Sequence, residues 1–290
     1  MSEKKQSVSV SRSIENPHVE TPGGALPQEK QNRVLCWVLT TGGAHEKKAK
    51  HVKATWGKRC DKLLFVSSEA NATLPAIKFE GSKESRDTLW GKTVRAFKYV
   101  YEHYKDEADW FMKADDDSYV VVDNLKSMLE SYKPSQPIYF GCKLWPYVKQ
   151  GYMSGGAGYV LSREALKLFV EKGLTETNQT LCKSQNDIGY EDVEMGKCMA
   201  HLKVTAGDSR DSKGRERFLP LKPQSHLVLP RHIPGFKNSK IAWYMQSAFY
   251  KAHRGIDCCS DSAIAFHYIP ADMMYLIEYF LYHLRPAQMF

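Results

Sequence analysis

Two patterns of apolar and polar residues recur along the chain: continuous apolar runs and helical spacing. The run at 34–39 is apolar throughout and ends in a Thr-Thr-Gly-Gly turn, which predicts a strand buried on both faces. Between 85 and 104 the main apolar residues recur every three to four positions, which predicts a helix with one apolar face. Because strands and helices continue to alternate, the pattern predicts an α/β fold with a mostly parallel sheet flanked by helices.

These patterns predict the following elements. The predicted strands are 34–39, 63–66, 75–79, 109–114, 138–141, 158–161 and 263–269. The predicted helices are 45–58, 85–104, 163–172, 192–201 and a last helix that Asp272 would cap, while 220–234 is predicted to be loop. Residues 1–32 are polar, rich in turn-forming Pro and Gly, and show no period. We therefore expect a flexible stem or linker at 1–32, followed by one domain at 33–290.

Composition bounds the class of protein. A chain of 290 residues with 42% hydrophobic content can bury one large core. No window approaches the roughly 18 uninterrupted apolar residues that span a bilayer. The most apolar stretch, 273–284, indicates a buried helix or an oligomer contact such as a homodimer interface. The net charge of +8 suits an acidic partner, but stacking aromatics do not interleave with the basic residues, so we expect no nucleic acid partner.

The cysteines indicate a compartment. None of the seven has the CxxC spacing of a structural zinc site, so the pattern favours a disulfide-bonded protein of the secretory pathway. Acceptor sequons at Asn71 and Asn178 agree with that compartment. An odd number of cysteines leaves at least one thiol free or shared between chains. Cys258 and Cys259 are adjacent, and the sequence leaves open whether they bond to each other.

Three adjacent carboxylates, Asp115 to Asp117, follow the predicted strand 109–114. In a parallel sheet, ligands bind beyond the carboxyl ends of the strands, where the turn with Thr41 and Gly42 would also lie. Ionised carboxylates this close raise one another's pKa unless a divalent cation or a basic ligand neutralises them. Mg²⁺ and Mn²⁺ take such oxygen ligands. A solvated turn or an Asp-rich helix cap is the alternative.

Two further segments offer ligand-binding groups. His267, on the predicted last strand, could complete a Mn²⁺ site, or it could be a core histidine. The loop 152–159 contains Gly155 and Gly156 and lets backbone approach a sugar or diphosphate closely, or it is a plain surface loop. It matches neither the GxGxxG nor the Walker pattern, so we expect no P-loop or dinucleotide site.

Glu191 and Asp192 open the predicted helix 192–201, where the helix dipole favours negative charge. Helix capping explains Asp192 adequately. The sharper hypothesis makes Asp192 a general base that removes a proton from an attacking hydroxyl, with Glu191 orienting the same acceptor. The basic residues from 47 to Arg59 mostly form a solvated face, although one or two could reach a phosphate.

Six segments, in order along the chain, closely resemble the β1,3-glycosyltransferase family that includes Fringe, and within it the enzymes that build the core 1 O-glycan. The segments are ATWGKRC at 54–60, LWGKT at 89–93, KADDDSYV at 113–120, MSGGAGY at 153–159, EDV at 191–193 and FHY at 266–268. The resemblance implies a GT-A fold with a Rossmann-like sheet and an inverting, Mn²⁺-dependent reaction. It further implies transfer of galactose from UDP-galactose to the 3-hydroxyl of GalNAc α-linked to Ser or Thr in a glycopeptide.

The resemblance also assigns roles to residues. Asp117 and His267 would ligate the metal, with Asp115 supporting it. Asp192 would be the catalytic base, and Glu191 is less suited to that role. The residues expected to bind the donor are Thr41, Gly42, Arg59, Lys92, Asp115 and Asp116, the last two at the ribose. The residues expected to bind the acceptor are Gly155, Gly156, Trp243 and Tyr244, with core packing as the alternative for the two aromatics.

Members of this family usually carry an N-terminal signal anchor, which we expect this chain to lack, so that 1–32 would be the stem. The family's usual place is the Golgi lumen, and membrane attachment would occur only through that anchor. A rival enzyme is a β1,3-transferase that moves N-acetylglucosamine. A rival from another class is an inactive relative that acts as a folding chaperone, but the intact Asp115–Asp117 triplet argues against it.

Overall fold

A seven-stranded mixed sheet lies at the centre of the computed structural model, which describes residues 32–79, 85–228, 239–285 and 287. The strands are β1 (Val34–Leu39), β2 (Lys62–Ser67), β3 (Ala76–Lys78), β4 (Trp110–Asp115), β5 (Tyr119–Val120), β6 (Ile138–Gly141), β7 (Lys143–Leu144), β8 (Tyr152–Met153), β9 (Tyr159–Ser162), β10 (Thr205–Ala206), β11 (Phe218–Leu219) and β12 (Ala265–Phe266). The large sheet has the order β10-β6-β9-β4-β1-β2-β3, in which β9 alone runs antiparallel to its neighbours. The predicted α/β class with a mostly parallel, Rossmann-like sheet is confirmed.

Helices flank this sheet. They are α1 (Lys50–Ala54), α2 (Leu89–Tyr104), α3 (Val122–Leu129), α4 (Arg163–Leu168), α5 (Glu191–His201), α6 (Pro223–Leu227), α7 (Lys240–Ser247) and α8 (Ala271–Tyr282). A π-helical turn at His45–Ala49 leads into α1, and another at Phe169–Gly173 continues α4. The predicted stem lies outside the described residues except for Asn32, so the division into stem and domain stays a prediction.

The central strand β1 is buried on both faces, as its unbroken apolar run predicted. Alternate residues enter two core clusters, Val34, Cys36 and Val38 on one face and Leu35, Trp37 and Leu39 on the other. The Trp37 ring packs edge-on against Phe97 of α2 with ring centroids 4.9 Å apart. Each large apolar side chain buried in this way contributes roughly 1.5–3 kcal/mol to folding, so β1 is held firmly in place. The loops at its carboxyl end therefore start from a rigid support.

Two predicted elements are shorter or more broken than their sequence pattern suggests. The predicted helix 45–58 is interrupted at Thr55, whose φ of −111° and ψ of −114° end α1. The predicted strand 263–269 is reduced to β12, because the chain turns at Tyr268, which has a left-handed φ of 58°. His267 lies at that turn, so it follows the strand and is not part of it.

Two predictions about helix boundaries are wrong. The predicted loop 220–234 contains α6, which begins at Pro223, a residue whose fixed φ suits the first helical position. The part of that loop from 229 to 234 lies outside the described residues. Asp272 does not cap α8, because Pro270 occupies the cap position and the Asp272 carboxylate accepts a 2.8 Å hydrogen bond from the adjacent Met273 N–H.

The expected disulfides are present. They are Cys36–Cys60, Cys182–Cys198 and the vicinal pair Cys258–Cys259, and Cys142 is a buried free thiol. The question that the sequence left open at Cys258 and Cys259 is thus answered by a bond between them. The odd number of cysteines predicted at least one thiol that is free or shared between chains, and Cys142 is that thiol.

Helix α8 exposes an apolar face. Tyr275, Leu276, Tyr279 and Phe280 are each between 45% and 53% exposed. The buried-helix interpretation of 273–284 is therefore wrong, and the oligomer-contact interpretation stays a prediction. Within the described ranges, no helix has the length and apolarity needed to cross a membrane.

Candidate active site

The triplet Asp115–Asp117 forms the turn between β4 and β5 at the carboxyl edge of the sheet. Asp115 pairs in register with Leu39, the last residue of β1. The Leu39 carbonyl accepts a 3.2 Å hydrogen bond from the Asp116 N–H, and the Ser118 N–H donates to the Asp115 carbonyl at 3.1 Å. The end of β1 and the triplet thus meet at one edge, as the parallel-sheet pattern predicted.

Asp116 is anchored to the protein. Thr40 Oγ1 donates to Asp116 Oδ2 at 2.8 Å, and Lys48 Nζ lies 3.2 Å from Asp116 Oδ1. Burial raises the pKa of Asp116, although the charge of Lys48 and the Thr40 hydrogen bond oppose that shift. Because both of its oxygens have protein partners, Asp116 stabilises the turn that presents its two neighbours.

Asp115, Asp117 and His267 converge on one point. Their potential ligand atoms all lie within 4.8 Å of one another, with His267 Nε2 3.1 Å from Asp117 Oδ1 and 3.8 Å from Asp115 Oδ2. The antiparallel pairing of Phe266 with Tyr119 brings His267 to the triplet. Two carboxylate oxygens and one imidazole nitrogen suit a divalent cation of the Mn²⁺ type, so the donor set fits a divalent metal.

Basic groups compensate the negative charge around Asp117. Burial alone would raise the pKa of Asp117, but the hydrogen bond and charge of His267, together with Lys48, lower it to about 2. Lys48 Nζ lies 3.1 Å from Asp117 Oδ2. A cavity of about 250 Å³ opens here, and its walls include Lys48, Asp116, Asp117, Tyr268 and Met274. The Asp117 carboxylate and the Lys48 ammonium therefore line a cavity that could hold a polar ligand.

The glycine-rich loop packs directly against the site. A Cβ atom on Gly156 would lie 2.1 Å from the His267 ring, and one on Gly155 would lie 2.6 Å from Glu191 Oε2. Ser118 Oγ donates to the Gly156 carbonyl at 2.8 Å, which ties the loop to the turn after the triplet. Both glycines are thus required by close approach of the backbone. Their expected contact with the acceptor stays a prediction.

Asp192 lies at the start of α5, beside the glycine-rich loop. Asp192 Oδ2 accepts a hydrogen bond from the Gly155 N–H at 3.2 Å, and Oδ1 accepts one from the Val193 N–H at 2.9 Å. Burial raises the pKa of Asp192, and the Gly155 hydrogen bond and the charge of Lys113 only partly offset that shift. A carboxylate with a raised pKa accepts a proton more readily near neutral pH, which suits a general base.

Glu191 has different surroundings. Its Oε1 accepts hydrogen bonds from Tyr159 OH at 2.5 Å and Thr93 Oγ1 at 3.3 Å, and its Oε2 lies 3.8 Å from Lys113 Nζ. The residue is 8% exposed. Glu191 is buried and faces three side chains, whereas Asp192 is partly exposed and accepts hydrogen bonds from backbone N–H groups. The geometry therefore favours Asp192 over Glu191 as a group that could meet a substrate.

Residues 29–226 match the model of the Fringe-like family, which is well over half of the chain. The chain belongs to the Fringe-like family. The resemblance that the sequence motifs indicated is therefore confirmed, and the site described above lies at the sheet edge where those motifs meet.

Two curated relatives of this Fringe-like chain are a galactosyltransferase and a chondroitin sulfate synthase. It is 50% identical over 256 residues to the glycoprotein-N-acetylgalactosamine 3-beta-galactosyltransferase 1 of Xenopus laevis, an alignment that covers 88% of this chain and 68% of that protein. It is 33% identical over 196 residues to chondroitin sulfate synthase 3 of Homo sapiens, which covers 61% of this chain and 21% of that protein. The chain thus spans about two thirds of the first relative's length and about a fifth of the second's.

Solved structures resemble the chain more distantly. Mouse xyloside xylosyltransferase 1 aligns at 10% identity over 81% of this chain and 96% of that one, with a TM-score of 0.41. A mannosyltransferase from Pyrobaculum calidifontis aligns at 14% identity over 61% and 55%, with a TM-score of 0.37.

Two residues expected to bind the donor have other surroundings in this Fringe-like chain. The Arg59 guanidinium pairs with both oxygens of the buried Glu278 at 2.8 and 2.9 Å, and it lies 3.3 Å from the centroid of the Tyr282 ring. The structure does not bring Arg59 to the triplet. Lys92 is buried in the first turn of α2, next to Thr93, which reaches Glu191.

The remaining predicted residues divide between edge and core. Thr41 and Gly42 follow β1 at the same sheet edge as the triplet, where a Cβ on Gly42 would lie 2.2 Å from the Glu69 carboxyl carbon. Trp243 is 47% exposed on α7, and its expected contact with the acceptor stays a prediction. Tyr244 is buried and packs edge-on against His226 with ring centroids 5.2 Å apart, so the core-packing alternative describes it.

Three side chains at the site were not assigned roles from sequence: Thr40, Lys48 and Lys113. Lys48 belongs to the basic segment from which we expected one or two cations to reach a phosphate, but the sequence did not say which. Lys113 had a stronger signal, because a lysine inside an otherwise apolar strand needs buried partners. Those partners are carboxylates at the site, as described below.

Proposed function

We propose that this chain is an inverting galactosyltransferase that moves galactose from UDP-galactose to the 3-hydroxyl of GalNAc α-linked to Ser or Thr, forming the core 1 O-glycan. The reaction type is carried by one observation: a metal-type donor set and a separately held carboxylate, Asp192, flank the same glycine-rich loop. The choice of sugar and acceptor is supported by the 50% identical relative, a glycoprotein-N-acetylgalactosamine 3-beta-galactosyltransferase.

In the proposed reaction, Asp192 takes the proton of the acceptor 3-hydroxyl while that oxygen attacks the anomeric carbon of galactose. A new carbon–oxygen bond forms as the bond to UDP breaks, and a single displacement inverts the configuration. We assign Mn²⁺ to the site, where Asp117, His267 and Asp115 would hold it. A bound divalent cation supplies neutralisation of the charge that develops on the departing diphosphate. The Gly155 N–H keeps the Asp192 carboxylate oriented.

Transfer assays with purified protein test this proposal directly. UDP-galactose, UDP-glucose and UDP-N-acetylglucosamine are each offered with a GalNAc-bearing peptide, in Mn²⁺ and in chelator. We expect transfer only from UDP-galactose, and only in the presence of Mn²⁺. Turnover with UDP-N-acetylglucosamine instead would favour the rival transferase. A protein that turns over no donor would favour the inactive chaperone.

We further propose that the protein forms a homodimer through the apolar face of α8. Tyr275, Leu276, Tyr279 and Phe280 supply a contiguous helical surface at i, i+1, i+4 and i+5 spacing, and such surfaces mark protein contacts. Sedimentation of wild type and Phe280→Glu should give a dimer and a monomer, respectively. A wild-type monomer at micromolar concentration would overturn this assignment.

The Golgi lumen is the proposed site of action. The three disulfides support an oxidising compartment, and core 1 synthesis acts on secretory glycoproteins. Microscopy of the epitope-tagged protein in cells of its own species, with Golgi and endoplasmic reticulum markers, tests the assignment. Cytosolic staining would contradict it.

A further inference from the structure

A buried lysine links the two halves of the site. Lys113 lies on β4 and is 2% exposed. Its Nζ donates to Asp115 Oδ1 at 2.6 Å and to the Gly155 carbonyl at 3.0 Å, and it lies 3.8 Å from Glu191 Oε2. These acceptors belong to the metal-type set, the glycine-rich loop and the start of α5. One ammonium group therefore contacts all three parts of the site.

These partners offset the free-energy cost of burying the ammonium group. An ammonium group withdrawn from water costs several kcal/mol unless charged and hydrogen-bonding groups surround it. A Lys–Glu or Lys–Asp pair alone would satisfy the charge. Here the ammonium also binds a backbone carbonyl of the loop, which fixes where the loop lies relative to both carboxylates.

Gly155 links Lys113 to Asp192 through two backbone hydrogen bonds. Its carbonyl accepts from Lys113, while its N–H donates to Asp192 Oδ2 at 3.2 Å. A Cβ on Gly155 would lie 2.6 Å from Glu191 Oε2 and 3.6 Å from Lys113 Nζ, so the backbone is held closely between these groups. Loss of the Lys113 contact would free the loop and with it the N–H that orients Asp192.

We propose that Lys113 is a positioning residue that couples the metal-type half of the site to Asp192 through Gly155, so that sugar transfer depends on it more than donor binding does. This inference rests on the proposed function, because it takes Asp192 as the base. Lys113 itself does not meet the substrate, since it is buried behind Asp115 and Gly155.

The first test is Lys113→Met, which keeps the length of the side chain and removes its charge. We expect the kcat of transfer to fall about 100-fold, the loss typical of a catalytic group displaced by about 1 Å. The KM for UDP-galactose should change by less than about threefold, because the lost interaction acts in the transition state. In an Asp192→Asn background, Lys113→Met should have little further effect, since it acts through Asp192. Lys98→Met, on the exposed face of α2, is the matched control.

The second readout is independent of activity. Hydrogen–deuterium exchange should become at least about tenfold faster at 152–159 in Lys113→Met, because the Gly155 carbonyl loses its hydrogen bond to Lys113. Exchange in β2 should stay unchanged. If Lys113→Met fails to fold, the double variant Lys113→Met with Glu191→Gln removes the more deeply buried of the two carboxylate charges that lose their ammonium partner, and the same exchange measurement is made on it. Unchanged exchange in the loop, or equal losses in donor binding and transfer, would overturn the inference. Wild-type protein that transfers no galactose, with exchange changed as expected, would instead count against the proposed function alone.

Discussion

Replacing Asp192 by Asn tests which of the two carboxylates at the start of α5, Glu191 or Asp192, is the general base. The substitution preserves the size of the side chain and one oxygen, but an amide cannot accept the acceptor's proton. General-base catalysis contributes roughly 10²–10⁴ in rate, or about 2.7–5.5 kcal/mol, so kcat should fall by that factor. One of the two N–H groups, from Gly155 or Val193, loses its acceptor. That loss costs about 1–3 kcal/mol of stability, because Gly155 and Val193 are buried and the N–H group left over has no water to replace its acceptor.

The assay measures initial rates of transfer to a GalNAc-bearing peptide at saturating donor and Mn²⁺, with calorimetry of UDP binding in parallel. We expect UDP affinity to remain near that of wild type, because Asp192 belongs to the loop side and not to the metal-type set. Asp106→Asn, at an exposed loop position, is the matched control. Near-normal turnover in Asp192→Asn would refute the assignment and move the base to Glu191 or elsewhere.

The pH dependence of kcat gives a second test of the same residue. Burial raises the pKa of Asp192, so the base form is lost at a higher pH than for an exposed carboxyl. Wild-type kcat should therefore fall on the acid side as Asp192 becomes protonated, and rise to a plateau above that pKa. The residual activity of Asp192→Asn should lack this acid limb. An identical limb in both proteins would assign the titration to another group.

Three further changes test other parts of the site. Asp117→Asn should abolish Mn²⁺-dependent UDP binding in calorimetry, and unchanged binding would refute the metal assignment. Arg59→Met removes the bidentate partner of the buried Glu278, which keeps Lys58 and Tyr119 as partners. The free energy of unfolding should fall by about 1.5–3 kcal/mol in denaturant titrations while UDP affinity is unchanged. A selective loss of affinity would restore the predicted donor role. Gly156→Ala places a Cβ 2.1 Å from the His267 ring, so metal affinity should fall at least about tenfold, and wild-type affinity would show that the ring can move.

The sequence predicts best the elements in which every residue has the same kind of environment. The run at 34–39 is apolar on every residue, and β1 is buried on both faces. The register of β1 against β4 then places Asp115 beside Leu39, so the position of the triplet follows from the fold class. The interrupted helix at Thr55 and the short β12 were not predictable, because backbone angles such as those at Tyr268 depend on tertiary contacts that a periodic pattern does not record.

The predicted site residues divide in the same way. Carboxylates crowded at a strand end are unstable without a counter-charge, and that physical conflict is visible in sequence; a single arginine in a basic segment carries no such conflict. Arg59 could pair with any acidic residue that the fold brings near, and it pairs with Glu278, which is 219 positions away. Lys113 lies between these two cases, because the sequence indicates part of its role. Its place in an apolar strand required a buried partner, but only the fold shows that Asp115, Gly155 and Glu191 supply it together. A charged residue within an apolar strand next to a carboxylate cluster is therefore a stronger sign of a working site than the same residue in a basic run.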